Sequence, residues 1–285
     1  MNISGHTRVF AVLGHPIGHT LSPVMHNAAI EALAMDAMYL AFDVAPERLM
    51  NTLPAMADMG FAGVNLTVPL KEVAFRGIPD LDATARLLGA VNTVEFRPSG
   101  MRGHNTDGHG FLAALREAFG LEVGSLSIFV LGCGGAGRAV ALTCATQGAK
   151  RLWLADSDPA RPQRVKSEIA GVAACVRTDV VGADGWEKAA READLVVQAT
   201  PVGMKAGDRS LLTPSAFRAG QGAYDLVYMY PETAFMAAAR AGGAKAANGL
   251  GMLLHQGAHA FEIWTGRTPP ADVMRRALEA KVYGR

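Results

Sequence analysis

Cysteine is scarce in this sequence, and charge of neither sign is in excess. The 285 residues include three cysteines, and 27 basic side chains stand against 26 acidic ones, which leaves a formal net charge of +1. Cys133, Cys144 and Cys175 form no C-x-x-C pair. They therefore indicate a reducing compartment rather than a disulfide scaffold, and we expect a cytoplasmic protein. Because no run of lysine and arginine stands out, we expect no nucleic-acid partner.

Long apolar segments are missing as well. The first apolar stretch, Val9 to Leu13, is too short for a secretion signal, and no segment approaches the roughly 18 apolar residues of a membrane span. We therefore expect a protein that is neither secreted nor membrane-bound. With 50% hydrophobic and 19% charged residues, the composition predicts an ordinary globular protein of two domains with a small-molecule ligand.

Short β-rich runs alternate with longer segments of helical period, which predicts an α/β fold with mostly parallel sheets. The predicted strands are Val9 to Gly14, Tyr39 to Val44, Gly63 to Val68, Val91 to Phe96, Ser127 to Leu131, Arg151 to Ala155, Leu195 to Ala199 and Ala223 to Val227. The predicted helices are Ser22 to Ala34 with Ser22 as N-cap, Pro46 to Met59, a segment that ends at Gln147, Leu250 to Trp264 with Gly266 as C-cap, and Pro270 to Tyr283. Pro98 to Asn105 is the nearest thing to a linker, and the last forty residues show no clear strand.

A glycine-rich loop follows the predicted strand Ser127 to Leu131 and opens a helix. In a G-x-G-x-x-G loop, the glycines allow a tight turn, and the backbone N–H groups at the start of the helix approach a pyrophosphate. The strand before the loop and the helix after it make dinucleotide binding the favoured interpretation over a structural turn. The residues expected at the cofactor are Gly132, Gly134, Gly135, Ala136 and Gly137.

An acidic residue, Asp156, follows the next predicted strand, about 20 residues after the glycines. A carboxylate there can accept hydrogen bonds from ribose hydroxyls and repel a 2′-phosphate, so Asp156 and Asp158 favour NAD over NADP. Arg161 and Arg164 argue the other way, because either could reach a phosphate. The structural alternative is that Asp156 only caps the following helix.

Polar side chains gather at the ends of the predicted strands in the first third of the chain, where α/β sheets place ligand groups. They are Asn65, Thr67, Lys71, Asn92, Asn105, Thr106 and Asp107. A lysine near a carbonyl oxygen could deliver the proton that accompanies hydride transfer, and a carboxylate could orient it. Lys71 and Asp107 are therefore the candidate acid–base pair, although a surface salt bridge would explain either residue alone.

Seven segments together resemble the shikimate dehydrogenase family. They are GHPIGHTLSP at Gly14 to Pro23, NLTVPLK at Asn65 to Lys71, AVNT at Ala90 to Thr93, NTDG at Asn105 to Gly108, GCGGAGR at Gly132 to Arg138, ATPVGM at Ala199 to Met204 and GLGMLLHQ at Gly249 to Gln256. The matches run in family order from about residue 9 to residue 268. The resemblance implies an enzyme of the aromatic amino acid (chorismate) pathway that interconverts 3-dehydroshikimate and shikimate with a nicotinamide cofactor.

The resemblance also implies residue roles. Lys71 and Asp107 match the catalytic pair of the family. Substrate positions of the family match Thr20 and Ser22 for the carboxylate, Thr67, Asn92 and Gln256 for the ring hydroxyls, and Tyr228 as a further contact. Backbone contacts near the nicotinamide match Leu226 and Gly249, and Thr200, in the family-like ATPVGM segment, is expected at the cofactor.

Two departures from the family pattern bear on specificity. Thr20 stands where serine is common, and its added methyl group leaves open whether shikimate or quinate is preferred. Asp156, Ser157 and Asp158 stand where NADP-dependent members have Asn-Arg-Thr, so the arginine expected on the 2′-phosphate is missing, although Arg161 matches a second arginine on the phosphate side. We expect NAD to be preferred, with NADP as the alternative.

Three other readings stay open from the sequence. One is an NAD-dependent quinate/shikimate dehydrogenase that works in the catabolic direction, or a member acting on an amino-substituted shikimate. Another is a non-catalytic sensor of shikimate-type ligands, which would not need both Lys71 and Asp107. A folate dehydrogenase of the same two-domain plan would lack the groups at Thr20, Ser22 and Asn92.

No metal site is expected. His255 and His259 are four residues apart on a predicted helix, but no glutamate follows His255 and no third ligand is evident. We predict a substrate domain of residues 1–107, completed by the C-terminal helices of residues 248–285, and a Rossmann-like domain of residues 108–247, with the reaction in the cleft between them. The chain is expected to be a monomer or a homodimer.

Overall fold

The computed structural model describes residues 3–284, so residues 1, 2 and 285, which the predicted domain limits include, lie outside the described residues. The chain divides into two compact units. Unit 1 contains the residues up to Gly110 together with those from Leu254 onward, and unit 2 is Phe111–Leu253. The predicted domain limits at residues 107 and 248 lie a few residues from these divisions.

Strands and helices alternate along most of the chain. The strands are β1 Arg8–Gly14, β2 Ala37–Asp43, β3 Phe61–Leu66, β4 Asp80–Leu81, β5 Thr93–Arg97, β6 Gly100–His104, β7 Ser127–Leu131, β8 Arg151–Ala155, β9 Arg177–Val180, β10 Leu195–Gln198, β11 Gly222–Asp225 and β12 Lys245–Asn248. The helices are α1 Ser22–Ala32, α2 Leu49–Asp58, α3 Lys71–Gly77, α4 Ala83–Leu88, α5 Asp107–Phe119, α6 Gly135–Thr146, α7 Ala160–Val172, α8 Trp186–Glu192, α9 Ala234–Ala241, α10 Leu250–Thr265 and α11 Ala271–Tyr283. None of the helices within residues 3–284 combines the length and the apolar character needed to cross a bilayer.

The sheet of unit 1 has six strands in the order β2-β1-β3-β5-β6-β4. β1 pairs in parallel with β2 and β3, and β4 pairs in parallel with β6. Only β5 runs against its neighbours, because it is antiparallel to both β3 and β6. The predicted mostly parallel sheet is therefore confirmed, with β5 as the exception.

The linker predicted at Pro98 to Asn105 is wrong, since Gly100–His104 is β6 and forms a hairpin with β5. Arg97 pairs with Gly100, whose φ of +121° suits a glycine at the turn. The strand contains two glycines and no β-branched residue, so its composition does not indicate a strand. Pairing with β5 on one side and β4 on the other holds it in place.

Three further differences from the sequence prediction are local. β12, at Lys245–Asn248, extends into the last forty residues, where no strand was expected. Ser22 is the first residue of α1 and not its N-cap, which is Leu21 without a side-chain hydrogen bond. A 3-10 turn at Pro46–Arg48 precedes α2, so the regular helix begins later than the proline indicated.

The outer edge of β2 is partly closed by a side chain. Asn27 of α1 donates from Nδ2 to the Tyr39 carbonyl at 2.9 Å, and its Oδ1 accepts from the Tyr39 N–H at 2.8 Å. The amide therefore substitutes for a neighbouring strand at one position and satisfies two backbone groups of an edge strand. This contact also fixes Tyr39, whose side chain points into the core of the unit.

The sheet of unit 2 is parallel throughout, in the order β12-β11-β10-β7-β8-β9. The chain runs outward from β7 through β8 to β9 and then returns to β10 on the other side of β7. This is the order of a Rossmann fold, with its switch point between β7 and β10. The predicted Rossmann-like domain is confirmed in its fold, and its glycine loop begins at the switch point.

Helix α10 packs on the sheet of unit 1 through Trp264. Its Nε1 donates to the Val94 carbonyl at 3.0 Å, and its ring stacks on Phe10 at 5.4 Å between centroids. Gly63 of β3 makes room for the indole, because a Cβ at that position would lie 2.3 Å from the ring. α10 ends one residue later and is followed by Gly266, as predicted.

We predict that Gly63→Ala destabilises the protein by about 1–3 kcal/mol, the usual cost of overpacking a core, because the indole cannot move without losing its hydrogen bond to Val94. Urea unfolding would measure the loss. The matched control is Gly5→Ala, since a Cβ at Gly5 has no atom within 4 Å. If the two variants are equally stable, the packing of Trp264 on Gly63 does not hold α10 on the sheet.

Candidate functional site

Lys71 and Asp107 are brought together in unit 1, each as the first residue of a helix, α3 and α5. The Lys71 Nζ donates to Asp107 Oδ2 at 2.7 Å. Their side chains are 27% and 13% exposed, so the pair is partly buried but open to a ligand. The ion pair joins the first residues of two helices that lie 36 residues apart in the sequence. Because it is partly buried, it differs from an exposed surface salt bridge.

Asn92 lies between the two polar segments, directly before β5, and is almost fully buried. Its Nδ2 is within hydrogen-bond distance of Asp107 Oδ1 at 3.0 Å, Thr106 Oγ1 at 2.8 Å and Gln256 Oε1 at 3.4 Å. Its Oδ1 accepts from the Thr106 N–H at 2.9 Å. Five of the residues predicted at the site therefore form one connected group: Lys71, Asn92, Thr106, Asp107 and Gln256.

Asn105 shapes the turn that carries Asp107. Its Nδ2 donates to the Ala90 carbonyl at 2.8 Å, and its Oδ1 accepts from the Asp107 N–H at 3.0 Å. The side chain thus joins the turn to the segment before Asn92 and leaves the Asp107 carboxylate for Lys71 and Asn92. Asn105 therefore positions the backbone of the turn, and its side chain hydrogen-bonds to backbone groups rather than to the side chains around Asn92.

Thr20 and Ser22 lie in and just after the loop that follows β1, and Thr67 follows the neighbouring strand β3. Thr20 Oγ1 accepts from the Ser22 N–H at 3.3 Å. A Cβ at Gly14 would lie 2.6 Å from the Thr67 Cγ2, which shows how closely the end of β1 approaches Thr67. The three hydroxyls therefore lie at the carboxyl ends of adjacent parallel strands.

Asp43 anchors this loop, and the sequence analysis did not identify it. Its Oδ1 lies 2.5 Å from His15 Nδ1, and its Oδ2 accepts from the Ile17 N–H at 3.3 Å. The hydrogen bond from His15 lowers the pKa of the Asp43 carboxyl. The only sequence signal was an acid at the end of the predicted strand Tyr39 to Val44, next to a loop rich in histidine.

In unit 2, the glycine loop has the shape that a pyrophosphate requires. Gly132 has a φ of +101°, and a Cβ at Gly137 would lie 1.8 Å from the Gly132 carbonyl oxygen, so both positions exclude a side chain. A Cβ at Gly134 or Gly135 would meet no atom within 4 Å, which leaves open space over the loop. No side chain caps α6, so the N–H groups of its first turn, which begins at Gly135 and Ala136, can face an anion. The loop therefore fits a dinucleotide.

Asp156 braces this loop. Its Oδ2 accepts from the Cys133 N–H at 2.7 Å, and its Oδ1 accepts from the Asp158 N–H at 3.0 Å. The helix-capping alternative is wrong for Asp156, because it is Asp158 that accepts from the Ala160 N–H at the start of α7. Arg161 is 56% exposed and lies 3.7 Å from Asp156 and 3.4 Å from Asp158, so it is held on the acidic side of the loop.

Two loops at the ends of β10 and β11 carry the other residues predicted at the cofactor. Gln198 holds the first, since its Oε1 accepts from the Thr200 N–H at 2.6 Å and its Nε2 donates to the Val202 carbonyl at 2.7 Å. Asp225 holds the second, because its Oδ1 accepts from the Val227 N–H at 3.0 Å. Gln198 Nε2 and Asp225 Oδ1 lie 3.4 Å apart, so one buried pair organises both loops. The sequence analysis assigned a role to neither residue.

Leu226, Tyr228 and Gly249 lie together at this end of the unit 2 sheet. A Cβ at Gly249 would lie 2.2 Å from the Leu226 carbonyl oxygen, which explains the glycine between β12 and α10. Burial raises the pKa of the Tyr228 hydroxyl, two residues further along the loop from Leu226. Among residues 3–284, no group of three His, Cys, Asp or Glu side chains is placed to hold a metal ion.

Burial raises the pKa of Asp225 to about 6, although hydrogen bonds from Thr233, Val227 and Gln198 oppose the rise. A carboxyl whose pKa is higher in the folded state takes up a proton on folding. Its contribution to stability is therefore fully present below about pH 4 and is lost as the pH rises through about 6. Holding both loops with this carboxylate therefore costs stability in neutral solution.

We predict that Asp225→Asn gains stability relative to the wild type as the pH rises from about 4.5 to 8, by at most about 3 kcal/mol. Urea unfolding at several pH values measures the difference. Asp184→Asn, which changes an exposed aspartate in the same unit, should show no such trend. A difference between Asp225→Asn and the wild type that does not change with pH would contradict the raised pKa.

Two family profiles match parts of this chain, and known proteins match nearly its whole length. The family profile described as the shikimate dehydrogenase substrate binding domain matches residues 12–94, and the one described as the shikimate 5′-dehydrogenase C-terminal domain matches residues 249–279. A shikimate dehydrogenase (NADP(+)) of Methanopyrus kandleri is 42% identical over 282 residues, which cover 98% of this chain and 97% of the relative.

Two solved structures extend the comparison. The shikimate 5-dehydrogenase of Listeria monocytogenes in complex with shikimate and NAD has a TM-score of 0.91 at 32% identity, over 98% of both chains. The shikimate 5-dehydrogenase of Thermus thermophilus in complex with NADP(H) and shikimate has a TM-score of 0.84 at 40% identity, over 95% of this chain and 98% of that one. The similarity therefore spans both units.

Proposed function

The chain belongs to the shikimate dehydrogenase family of nicotinamide-dependent oxidoreductases, and we propose that it interconverts 3-dehydroshikimate and shikimate with Lys71 and Asp107 as its acid–base pair. The observation that carries this proposal is the partly buried ion pair, with Nζ 2.7 Å from Oδ2. A binding protein without catalysis has no use for a lysine and a carboxylate held together at an accessible position.

The substrate side of the proposal rests on unit 1. Shikimate carries one carboxylate and several ring hydroxyls, which neutral hydroxyl and amide groups recognise by direction as well as by charge. Thr20 and Ser22 would bind the carboxylate, and Thr67, Asn92 and Gln256 would bind the ring hydroxyls. Tyr228, which lies in unit 2, matches a further substrate position of the family. Unit 1 is thus the substrate unit, and unit 2 is the nucleotide unit.

Residues of this protein would accept and donate the proton. When shikimate is oxidised, a carbon–hydrogen bond breaks with its electron pair and the hydroxyl oxygen loses a proton, which a neutral Lys71 amine accepts. In the reverse direction, the Lys71 ammonium returns that proton to the carbonyl oxygen. Asp107 accepts a hydrogen bond from Nζ throughout, and so holds the lysine in one direction.

A nicotinamide cofactor held by unit 2 would supply or accept the hydride. Gly132, Gly134, Gly135, Ala136 and Gly137 would hold the pyrophosphate at the start of α6, and Thr200, Leu226 and Gly249 would lie along the nicotinamide half. The open space over Gly134 and Gly135 and the uncapped helix start support this assignment.

We predict that Lys71→Ala lowers kcat by roughly 100-fold or more, because the loss of a positioned acid–base group typically has this size. The thermal unfolding temperature and cofactor binding should change little. Absorbance of the reduced nicotinamide would follow the reaction, and Lys166→Ala, which changes an exposed lysine of α7, is the matched control. Near-normal turnover of Lys71→Ala would remove the lysine from the mechanism.

Preference for NAD is the finer part of the proposal. Asp156 is only 6% exposed in its side chain and has two backbone donors, so its carboxylate is fixed at the end of β8. A 2′-phosphate at that place would meet this charge and that of Asp158. Arg161 is engaged by the same two carboxylates and is therefore partly neutralised. The Methanopyrus kandleri relative is named for NADP(+), so this chain would differ from it in cofactor.

We predict that Asp156→Asn shifts the ratio of kcat/KM values toward NADP by about tenfold or more, since opposing like charges costs several kcal/mol. Asparagine can keep the hydrogen bond from the Cys133 N–H, so the glycine loop should stay in place. The kcat/KM values with NAD and NADP are measured for this variant, the wild type and Asp184→Asn. An unchanged ratio would mean that Asp156 only supports the loop and that cofactor choice lies elsewhere.

A further inference from the structure

A chain of buried hydrogen bonds leads from β2 to Asp107. The Tyr39 hydroxyl donates to Asn65 Oδ1 at 2.6 Å, and Asn65 Nδ2 donates to Thr93 Oγ1 at 3.0 Å. The Thr93 hydroxyl donates to Asn92 Oδ1 at 2.9 Å, and Asn92 Nδ2 donates to Asp107 Oδ1 at 3.0 Å. Every donor in this chain therefore points toward Asp107.

Two backbone groups fix this direction. Asn65 Nδ2 also faces the Asn92 carbonyl at 3.1 Å, which can only accept, so the amide nitrogen must lie on that side and Oδ1 must face Tyr39. Asn92 Oδ1 faces the Thr106 N–H at 2.9 Å, which can only donate, so its Nδ2 must face Asp107. Thr93 lies between the two amides and can satisfy both only by accepting from Asn65 and donating to Asn92.

This chain of hydrogen bonds is shielded from water. Tyr39 is 1% exposed, and its ring stacks on His26 at 4.2 Å between centroids with the planes 5° apart. Asn65, Asn92 and Thr93 are buried as well. In such surroundings a hydrogen bond meets no competition from solvent, and each bond polarises the next one. Reversing one amide would leave several buried groups without partners, which is costly.

We propose that Tyr39, Asn65 and Thr93 are positioning residues that keep the Asn92 amide turned toward the Asp107 carboxylate, and through it keep Lys71 aligned for proton transfer. The inference rests on the proposed function, because it takes Lys71 and Asp107 as the acid–base pair. It adds three residues to which the proposed function assigns no contact with substrate or cofactor. Thr93 is the member to change, because its side-chain hydroxyl is hydrogen-bonded to both amides.

Loss of the Thr93 hydroxyl acts on the Asn92 amide. The Thr93 hydroxyl supplies one of the two hydrogen bonds that Asn92 Oδ1 accepts, and the Thr106 N–H supplies the other. Without the hydroxyl, the amide that donates to Asp107 is held by one bond fewer, while no group that the proposed function places on the substrate is removed. The turnover rate should therefore fall more than substrate binding.

The test is the isosteric variant Thr93→Val, in the full-length enzyme. We expect kcat for shikimate oxidation to fall about tenfold, the size expected when a hydrogen bond to a charged group is disturbed. The substrate KM should change by less than about threefold, since no binding group is removed. A lower kcat with a nearly unchanged KM is the result that separates lost positioning from lost binding.

Two further variants and a control complete the design. Thr93→Ser keeps the hydroxyl and should restore the rate. Tyr39→Phe removes the far end of the hydrogen-bond chain and should lower kcat by a smaller factor. Thr265→Val is the matched control, because it removes a hydroxyl that donates to the Phe261 carbonyl at 2.8 Å in unit 1, away from the site. It should leave kcat unchanged.

Contrary outcomes separate the two proposals. If Lys71→Ala is inactive while Thr93→Val keeps the wild-type rate, the positioning inference is overturned and the proposed function stands. A lower rate for Thr93→Val that serine does not rescue, together with a lower Tm, would show a purely structural role and also overturn it. If Lys71→Ala is as active as the wild type, the proposed function itself fails.

Discussion

The ion pair between Lys71 and Asp107 is the interaction on which the proposed chemistry depends. Two charges at a partly buried position lose hydration, and only good geometry with further hydrogen bonds compensates for that loss. Here the two residues begin α3 and α5, and Asn92 supplies a donor to the second carboxylate oxygen. The sheet of unit 1 sets all three positions, because β3 leads to α3, β5 follows Asn92 and β6 leads to α5. The fold therefore fixes the distance between the charges before any ligand arrives.

Unit 2 meets a different constraint, which is to leave backbone groups open to an anion. The close approach of Gly137 to Gly132 and the open space over Gly134 and Gly135 accomplish this without any side chain. The groups that hold the surrounding loops, Asp156 on one side and the pair of Gln198 and Asp225 on the other, are acidic or neutral. Positive charge is thus confined to the helix start and to arginines such as Arg161, which is already engaged by two carboxylates.

The sequence was informative where a local pattern determines the structure, and less so where partners far apart in sequence do. The run Ser127 to Leu131 followed by a G-x-G-x-x-G loop predicted β7 and the start of α6, since period and glycine spacing are local. β6 was not predicted because two of its five residues are glycines, which are unfavourable in strands. Pairing with a strand on each side stabilises it nevertheless. Tyr39 and Thr93 read as ordinary strand residues, and only the contacts across β2, β3 and β5 reveal that they lie behind Asp107. Ser22 read as a helix cap, but the backbone places the cap one residue earlier.

The most direct test of the account is the initial rate of nicotinamide reduction by the purified protein, with shikimate and with quinate, each with NAD and with NADP. The account predicts that shikimate is turned over and that kcat/KM is at least about tenfold higher with NAD than with NADP. Absence of turnover in all four pairs, while shikimate still binds, would contradict it. The Lys71 and Asp107 pair would then serve recognition alone, on a fold that this chain shares with active dehydrogenases.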